Sequence, residues 1–374
     1  MARTVFAGGD MQPWTAHLLR RLSENQHDAN AFLDLSTALQ LVGQRDLGLS
    51  MQALALQMQQ LYQIRCAAEK PAVRVLALVS PGDLAENNTL ELLVEDSDIA
   101  LDLLYVSPKL PVPAVLPEYD VAIVAVCESD VNRPLLRYIE GLLTPLPWPV
   151  LCRPHRIARL SRAGACSLLQ SRPGLVVPVT RRIGRSELAA LRDGFPRIAR
   201  PVDSQKGFGL RRLAGWDEIP AYLQDQHAQE FFVAPYVDYR SADGQFRKYR
   251  VVLIDGRPYG CHMCVWDRWM IHYKNTGMLE NAAKRAEEQR FFETFDEDFG
   301  ARHGDAFRYI AEQLELEYVG VDCGETREGE LLLFEVDSGM TVHSMDPVDI
   351  FPYKQPQMRK VFRAFRQMLL DHTR

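Results

Sequence analysis

The chain has 374 residues, 47% hydrophobic and 25% charged, which is the profile of a soluble globular protein with room for two or three domains. Its formal net charge of −6 argues against a non-specific binder of nucleic-acid backbones. No apolar run reaches membrane-span length, MARTVFAGGD lacks the apolar core of a signal peptide, and seven scattered cysteines suit a reducing cytoplasm.

In chain order, a helix is expected around residues 14–22. From residue 28 onward apolar residues recur at spacings of three and four, with Gly43 as an interruption, which predicts a helical hairpin over 30–42 and 46–65. Its small-residue pattern resembles one tetratricopeptide-type repeat. Such a hairpin suits docking of a protein or peptide partner, or capping of the next domain. At Lys70-Pro71 the pattern changes: AVRVLALVS, LDLLYVS, YDVAIVAVCES and WPVLCR read as strands, and NTLELLVED and RPLLRYIEGLL as helices. That alternation predicts a small parallel sheet covered on both faces. No G-x-G-x-x-G follows its first strand, so a dinucleotide site lacks support. The expected domains are 1–69 (helical), 70–153 (small α/β) and 154–374.

In the third segment a helix over 157–170 precedes the strand LVVPVT. FPRIARPVDSQKGFG follows, a basic strand end and then a Gly-rich loop whose backbone amides suit a phosphate. EFFVAPYVDY is an apolar strand, and FRKYRVVLIDGRPYGCHMCVW predicts a hairpin turning at Asp255-Gly256. Lys248 and Arg250 share one face of it, which also fits an exposed basic edge. The lone C-x-x-C, Cys261 to Cys264, has no second pair at zinc-finger spacing and reads as strand packing. Helices are expected over 280–295, 304–314 and 355–371.

The stretch YVGVDCGETREGELLLFEVDSG predicts two strands around the turn GETREGE. Asp322 lies on the first strand; Glu335 and Asp337 are two apart on the second and so face the same way. A cross-strand carboxylate would join them, giving three oxygen donors of the kind that hold a hard cation beside nucleotide phosphates. The competing reading is a hairpin with a solvated acidic face. Against it, Glu335 follows the apolar run LLLF, where an uncompensated carboxylate is costly.

Taken together, residues 72–374 resemble the ATP-grasp superfamily, in particular glutathione synthetase, D-alanine–D-alanine ligase and the ribosomal-protein glutamate ligases. The most specific match is an Asp followed thirteen residues on by Glu and two further by Asn; here Asp337 replaces the Asn. The resemblance implies an ATP-grasp fold, α/β overall and α+β in the C-terminal half, preceded by the small parallel domain and the helical segment. It implies ATP and Mg²⁺ (or Mn²⁺), with Asp322, Glu335 and Asp337 as metal ligands. Arg162 and Arg200 stand where phosphate-binding lysines occur, and Ser204, Lys206, Gly207 and Gly209 form the mobile loop. Ala234, Pro235, Tyr236 and Val237 resemble the adenine hinge, with Asp238 on the ribose. Arg250, Lys206 and Asn275 would serve catalysis, and His272, Lys274 and His343 the substrate. The implied reaction joins a small-molecule or peptide carboxylate to an amine through an acylphosphate. The alternative is a nucleotide-binding scaffold whose helices dock a partner. A homodimer suits the family; nucleic acid and membrane are not expected partners.

Overall fold

The computed structural model describes residues 1–374 apart from 114, 145, 203, 205, 206, 273–275 and 374. The chain divides into two compact units, one of 1–158, 316–318 and 338–374, the other of 159–315 and 319–337. Residues 338–374 thus belong with the first unit, not with the long C-terminal segment to which the sequence pattern assigns them.

The first unit opens with the helices Ala2–Phe6 and Gln12–Glu24 and a hairpin of Ala29–Leu41 and Arg45–Met58. Gly43, at φ +83, makes the turn between the last two. Asp28 caps the Ala29–Leu41 helix by accepting from Ala31 N–H, and Arg21 braces the same carboxylate. The helices approach closely at Gly48, where a Cβ would stand 2.7 Å from Gln40 Cγ and 2.9 Å from the Ser36 carbonyl oxygen. The second helix ends at Met58, short of the expected 65. Leu61–Ile64 instead forms strand β1, antiparallel to the strand Ile99–Tyr105.

Strands β1, β2 (Val73–Val79), β3 (Ile99–Tyr105), β4 (Val121–Val124) and β5 (Val150–Leu151) form a sheet of order β1-β3-β2-β4-β5. Apart from β1, its neighbours run parallel as expected. The terminal helix Lys354–Asp371 buries Met358, Val361, Phe365, Met368 and Leu369 in this unit. Its Arg366 makes two 2.6 Å bonds to Asp98, so the basic helix is anchored on one face rather than simply solvated.

The second unit contains two sheets. The smaller, of order β7-β10-β8-β9, comprises β7 (Arg181–Gly184), β8 (Arg197–Pro201), β9 (Arg211–Leu213) and β10 (Glu230–Pro235). Leu188, Ile219, Tyr222 and Leu223 from its helices pack on Ile183, Ala199, Phe231 and Val233. The larger has the order β12-β11-β13-β14-β6, from β6 (Leu175–Val176), β11 (Phe246–Ile254), β12 (Arg257–Trp266), β13 (Tyr318–Glu325) and β14 (Leu331–Asp337). The β11–β12 hairpin turns at Asp255 (φ +46) and Gly256 (φ +76), the two left-handed residues that such a turn requires. The expected helix over 157–170 is two short ones, Pro154–Ile157 and Arg162–Leu168. The second starts where Ser161 accepts from Gly164 N–H, which fixes the start of Arg162's helix. Among the described residues no helix is long and apolar enough to cross a membrane.

Candidate active site

The larger sheet carries a row of charged side chains on one face. Asp322 on β13 stands opposite Glu335 on β14, and a bulge follows at Asp322/Cys323. From β11, Arg250 grips Asp322 with both edges of its guanidinium, Nε to Oδ1 at 2.7 Å and Nη2 to Oδ2 at 2.9 Å. Lys248, two residues earlier on the same face, reaches Asp322 Oδ2 at 2.6 Å. Because β11 lies between β12 and β13, Lys248 and Arg250 do not sit on a sheet edge; they neutralise a carboxylate that is 2% exposed. Burial would raise the Asp322 pKa, and the two cations more than reverse that, holding it far below the usual carboxylate range. The sequence pattern flagged Lys248 only as Arg250's neighbour. That spacing was the available signal for its role.

Glu335 is held from the other side. Arg162, at the start of its helix, pairs with Glu335 Oε1 and donates to the Phe334 carbonyl at 3.4 Å. Burial pushes the Glu335 pKa up, but Arg162 and Arg200 pull it below normal against the opposing push of Asp322. Arg200, on β8, is 8% exposed, and its guanidinium donates to the Ser204 hydroxyl (3.0 Å) and carbonyl. Both Ser204 acceptors are neutral. Burial first and the charge of Arg162 second bring the Arg200 pKa down to about 10. Two crowded guanidiniums sharing one carboxylate are a receptor for additional negative charge.

The loop after β8 needs its glycines. Gly207 and Gly209 have φ +74 and +65, and a Cβ on Gly209 would stand 2.6 Å from Pro201 Cδ. Lys206 lies outside the described residues, as do Lys274 and Asn275. Ala234 and Pro235 end β10 opposite Ile198 and Arg197, and Tyr236 N–H donates to the Pro196 carbonyl at 3.0 Å. Val237 and Asp238 follow, and Asp238 is clasped by the Arg240 guanidinium at 3.0 Å. Beside this segment opens a cavity of about 590 Å³ lined by residues including Arg212, Tyr236, Asp238, Trp266 and Trp269. Arg212 lies 4.5 Å over the Tyr236 ring.

His343 belongs to the other unit, where its Nδ1 accepts from Met345 N–H at 3.1 Å and its ring meets Phe6 edge-on. His272 is an exposed residue of the segment after β12.

The donor chemistry of Asp322, Glu335 and Asp337 fits an oxygen-seeking dication: two carboxylates in register, and a third two residues along the strand. Arg250, Lys248 and Arg162 neutralise the first two. In the structure, however, these three carboxylates are not gathered closely enough to hold an ion, nor are any other three His, Cys, Asp or Glu side chains among the described residues; Asp322 is instead taken up by Arg250 and Lys248.

No protein-family model matches the chain, and no curated protein matches it. Among solved structures it is similar to an ATP-grasp RimK domain protein from Sphaerobacter thermophilus, at 16% identity over 79% of this chain and 99% of that one, with a TM-score of 0.43. It is also similar to the VanG D-Ala:D-Ser ligase of Enterococcus faecalis, at 14% identity over 80% and 100% of the two chains, with a TM-score of 0.46. At such values the functional reading rests on this chain's own residues.

Proposed function

We propose that the chain is an ATP-dependent carboxylate–amine ligase of the ATP-grasp type, acting on an amino acid, peptide or related small molecule. The observation that carries this reading is the charged row itself. Arg162 and Arg200 crowd their positive charge beside Glu335, while Asp322 is locked by Arg250 and Lys248. ATP, consumed as a substrate, supplies the anion that the arginines lack. To hold Mg²⁺, or Mn²⁺, Asp322, Glu335 and Asp337 would have to draw together, with Asp322 released by Arg250 and Lys248; the ion would supply charge neutralisation of the phosphates.

In the reaction, a substrate carboxylate oxygen forms a bond to the γ-phosphorus as the bridging P–O bond to ADP breaks. Arg162 and Arg200 bind and orient the phosphates, and Arg250, whose fork Asp322 now occupies, would have to exchange that partner for the equatorial oxygens as charge spreads over them. The loop around Ser204, Gly207 and Gly209, with Lys206, would close over the site and keep water from the acylphosphate. Asn275, His272 and Lys274 would contact the acylated substrate. The backbone of 234–237 would take the adenine. Asp238 is already engaged by Arg240 and would have to exchange that partner for the ribose.

The test is a screen of amino acids and short peptides, with ATP and Mg²⁺, for ADP release and for products by mass spectrometry. The ligase reading expects ADP release that requires both a carboxylate and an amine. Nucleotide binding without turnover favours the scaffold reading, to which the neutralised state of Asp322 and Glu335 lends some support.

Arg200→Met gives a second, independent check. Arg200 is a buried cation whose folded pKa, about 10, lies below its ordinary value, so its charge weakens the fold at every pH below about 10. The variant is expected to unfold at an equal or higher urea concentration, a gain of up to about 2 kcal/mol, and to bind ATP at least about tenfold more weakly. Unchanged affinity for ATP in calorimetry would remove Arg200 from the phosphate site.

A further inference from the structure

Strand β12 carries a cluster that none of these roles uses. His262 has both ring nitrogens engaged: Nδ1 lies 3.2 Å from Glu288 Oε1, and Nε2 lies 3.1 Å from Cys264 Sγ. Glu288, from the Ala282–Glu293 helix, has no exposed surface and accepts from Met263 N–H at 3.3 Å. Thr276 Oγ1 donates to the Cys264 sulfur at 3.7 Å. A carboxylate only accepts, so Glu288 places a proton on Nδ1 and leaves Nε2 as the basic nitrogen, facing the thiol. This is the geometry of a base oriented by a buried acid.

Strand register puts the cluster beside the charged row. His262 stands opposite Arg250, and Cys264 opposite Lys248. Residues directly opposed on antiparallel strands project from the same face. His262 therefore extends the row Glu335–Asp322–Arg250 by one strand, roughly 5 Å past Arg250 at the usual strand spacing. Accessibility selects the imidazole over the thiol: His262 keeps 21% of its side chain exposed, whereas Cys264 has none. Among the described residues, the charged groups on that face beside His262 include Glu288 from the helix and Arg250 and Lys248 from β11.

Resting on the ligase reading above, we propose that His262, positioned by Glu288, is the base that readies the acceptor amine, which approaches from the β12 side. Nε2 exchanges its Cys264 partner for the acceptor's ammonium group, takes one proton from it and frees its lone pair. The nitrogen then forms the C–N bond to the acyl carbon as the C–O bond to phosphate breaks. The second proton leaves with the phosphate, and His262 returns its own to water. An imidazole suits the task because its ordinary pKa lies near neutrality. The acceptor class this implies is a primary amine that is protonated at neutral pH.

The experiment uses the full-length protein with ATP, Mg²⁺ and the amino acids and short peptides of the screen above as carboxylate donors, and compares hydroxylamine with methylamine as acceptor. The two acceptors match in size, but only methylamine is protonated at neutral pH. Hydroxamate formation by the wild type tests the parent reading by itself, and its absence removes that reading. Given hydroxamate, His262→Asn and His262→Gln, each checked for fold by circular dichroism, should keep hydroxamate formation within about threefold and lose methylamide formation about 100-fold. The deficit should shrink as pH rises and methylamine deprotonates unaided. Glu288→Gln should shift the pH midpoint of methylamide formation with KM for ATP unchanged. Equal loss of both products in the two folded His262 variants overturns the proposal. So do wild-type methylamide rates in those variants, a wild type that makes hydroxamate but no methylamide below pH 8, or an acyl adduct on Cys264 by mass spectrometry.

Discussion

Glu335→Gln is expected to lower ATP turnover by about 100-fold or more while the fold survives. The side chain is 31% exposed and meets Arg162, so a glutamine of equal volume keeps the packing and one hydrogen bond. It removes the negative charge that Arg162 and Arg200 share, together with one of the three proposed metal ligands. Stability should change by less than about 1 kcal/mol, since a part-exposed pair contributes little net energy. Steady-state ADP release beside a urea unfolding curve checks both halves. Turnover near that of the wild type would take Glu335 out of the chemistry.

Asp322→Asn should instead damage the fold. Asp322 is buried and compensates Arg250 and Lys248 together. Its loss strands two cations in the sheet, at a cost of about 3–5 kcal/mol, read as a lower urea midpoint. The pH dependence follows from its depressed pKa. A carboxylate whose folded pKa lies below its unfolded value adds stability in full above about pH 4, and that contribution drains away as the pH falls. The gap between wild type and Asp322→Asn is therefore largest near neutrality and narrows below about pH 4. A gap that widens in acid would mean that Asp322 is not held ionised by its partners.

Local rules made much of this molecule legible. The alternation over 70–153 follows from covered parallel strands, Gly43 breaks the helical hairpin, and Asp255-Gly256 turns β11 into β12 because only left-handed residues fit there. Two strands around the turn GETREGE were enough to bring Asp322 across the ladder to Glu335. What stayed hidden depends on partners distant in sequence. LYQI at 61–64 continues a helical-looking run and becomes a strand by pairing with β3. Lys248 and Arg250 also fitted an exposed edge, because nothing local says that β13 lies alongside them. The grouping of 338–374 with the first unit is equally non-local. His262 and Glu288, twenty-six residues apart, meet only when the helix packs on β12.

The most direct measurement of the central claim follows oxygen. With a substrate carboxylate from the screen labelled with oxygen-18, the released phosphate should carry one labelled oxygen per turnover, because the carboxylate oxygen itself attacks phosphorus. Phosphate released without label, at an undiminished rate of ADP formation, would show that the carboxylate is never phosphorylated and would contradict the account.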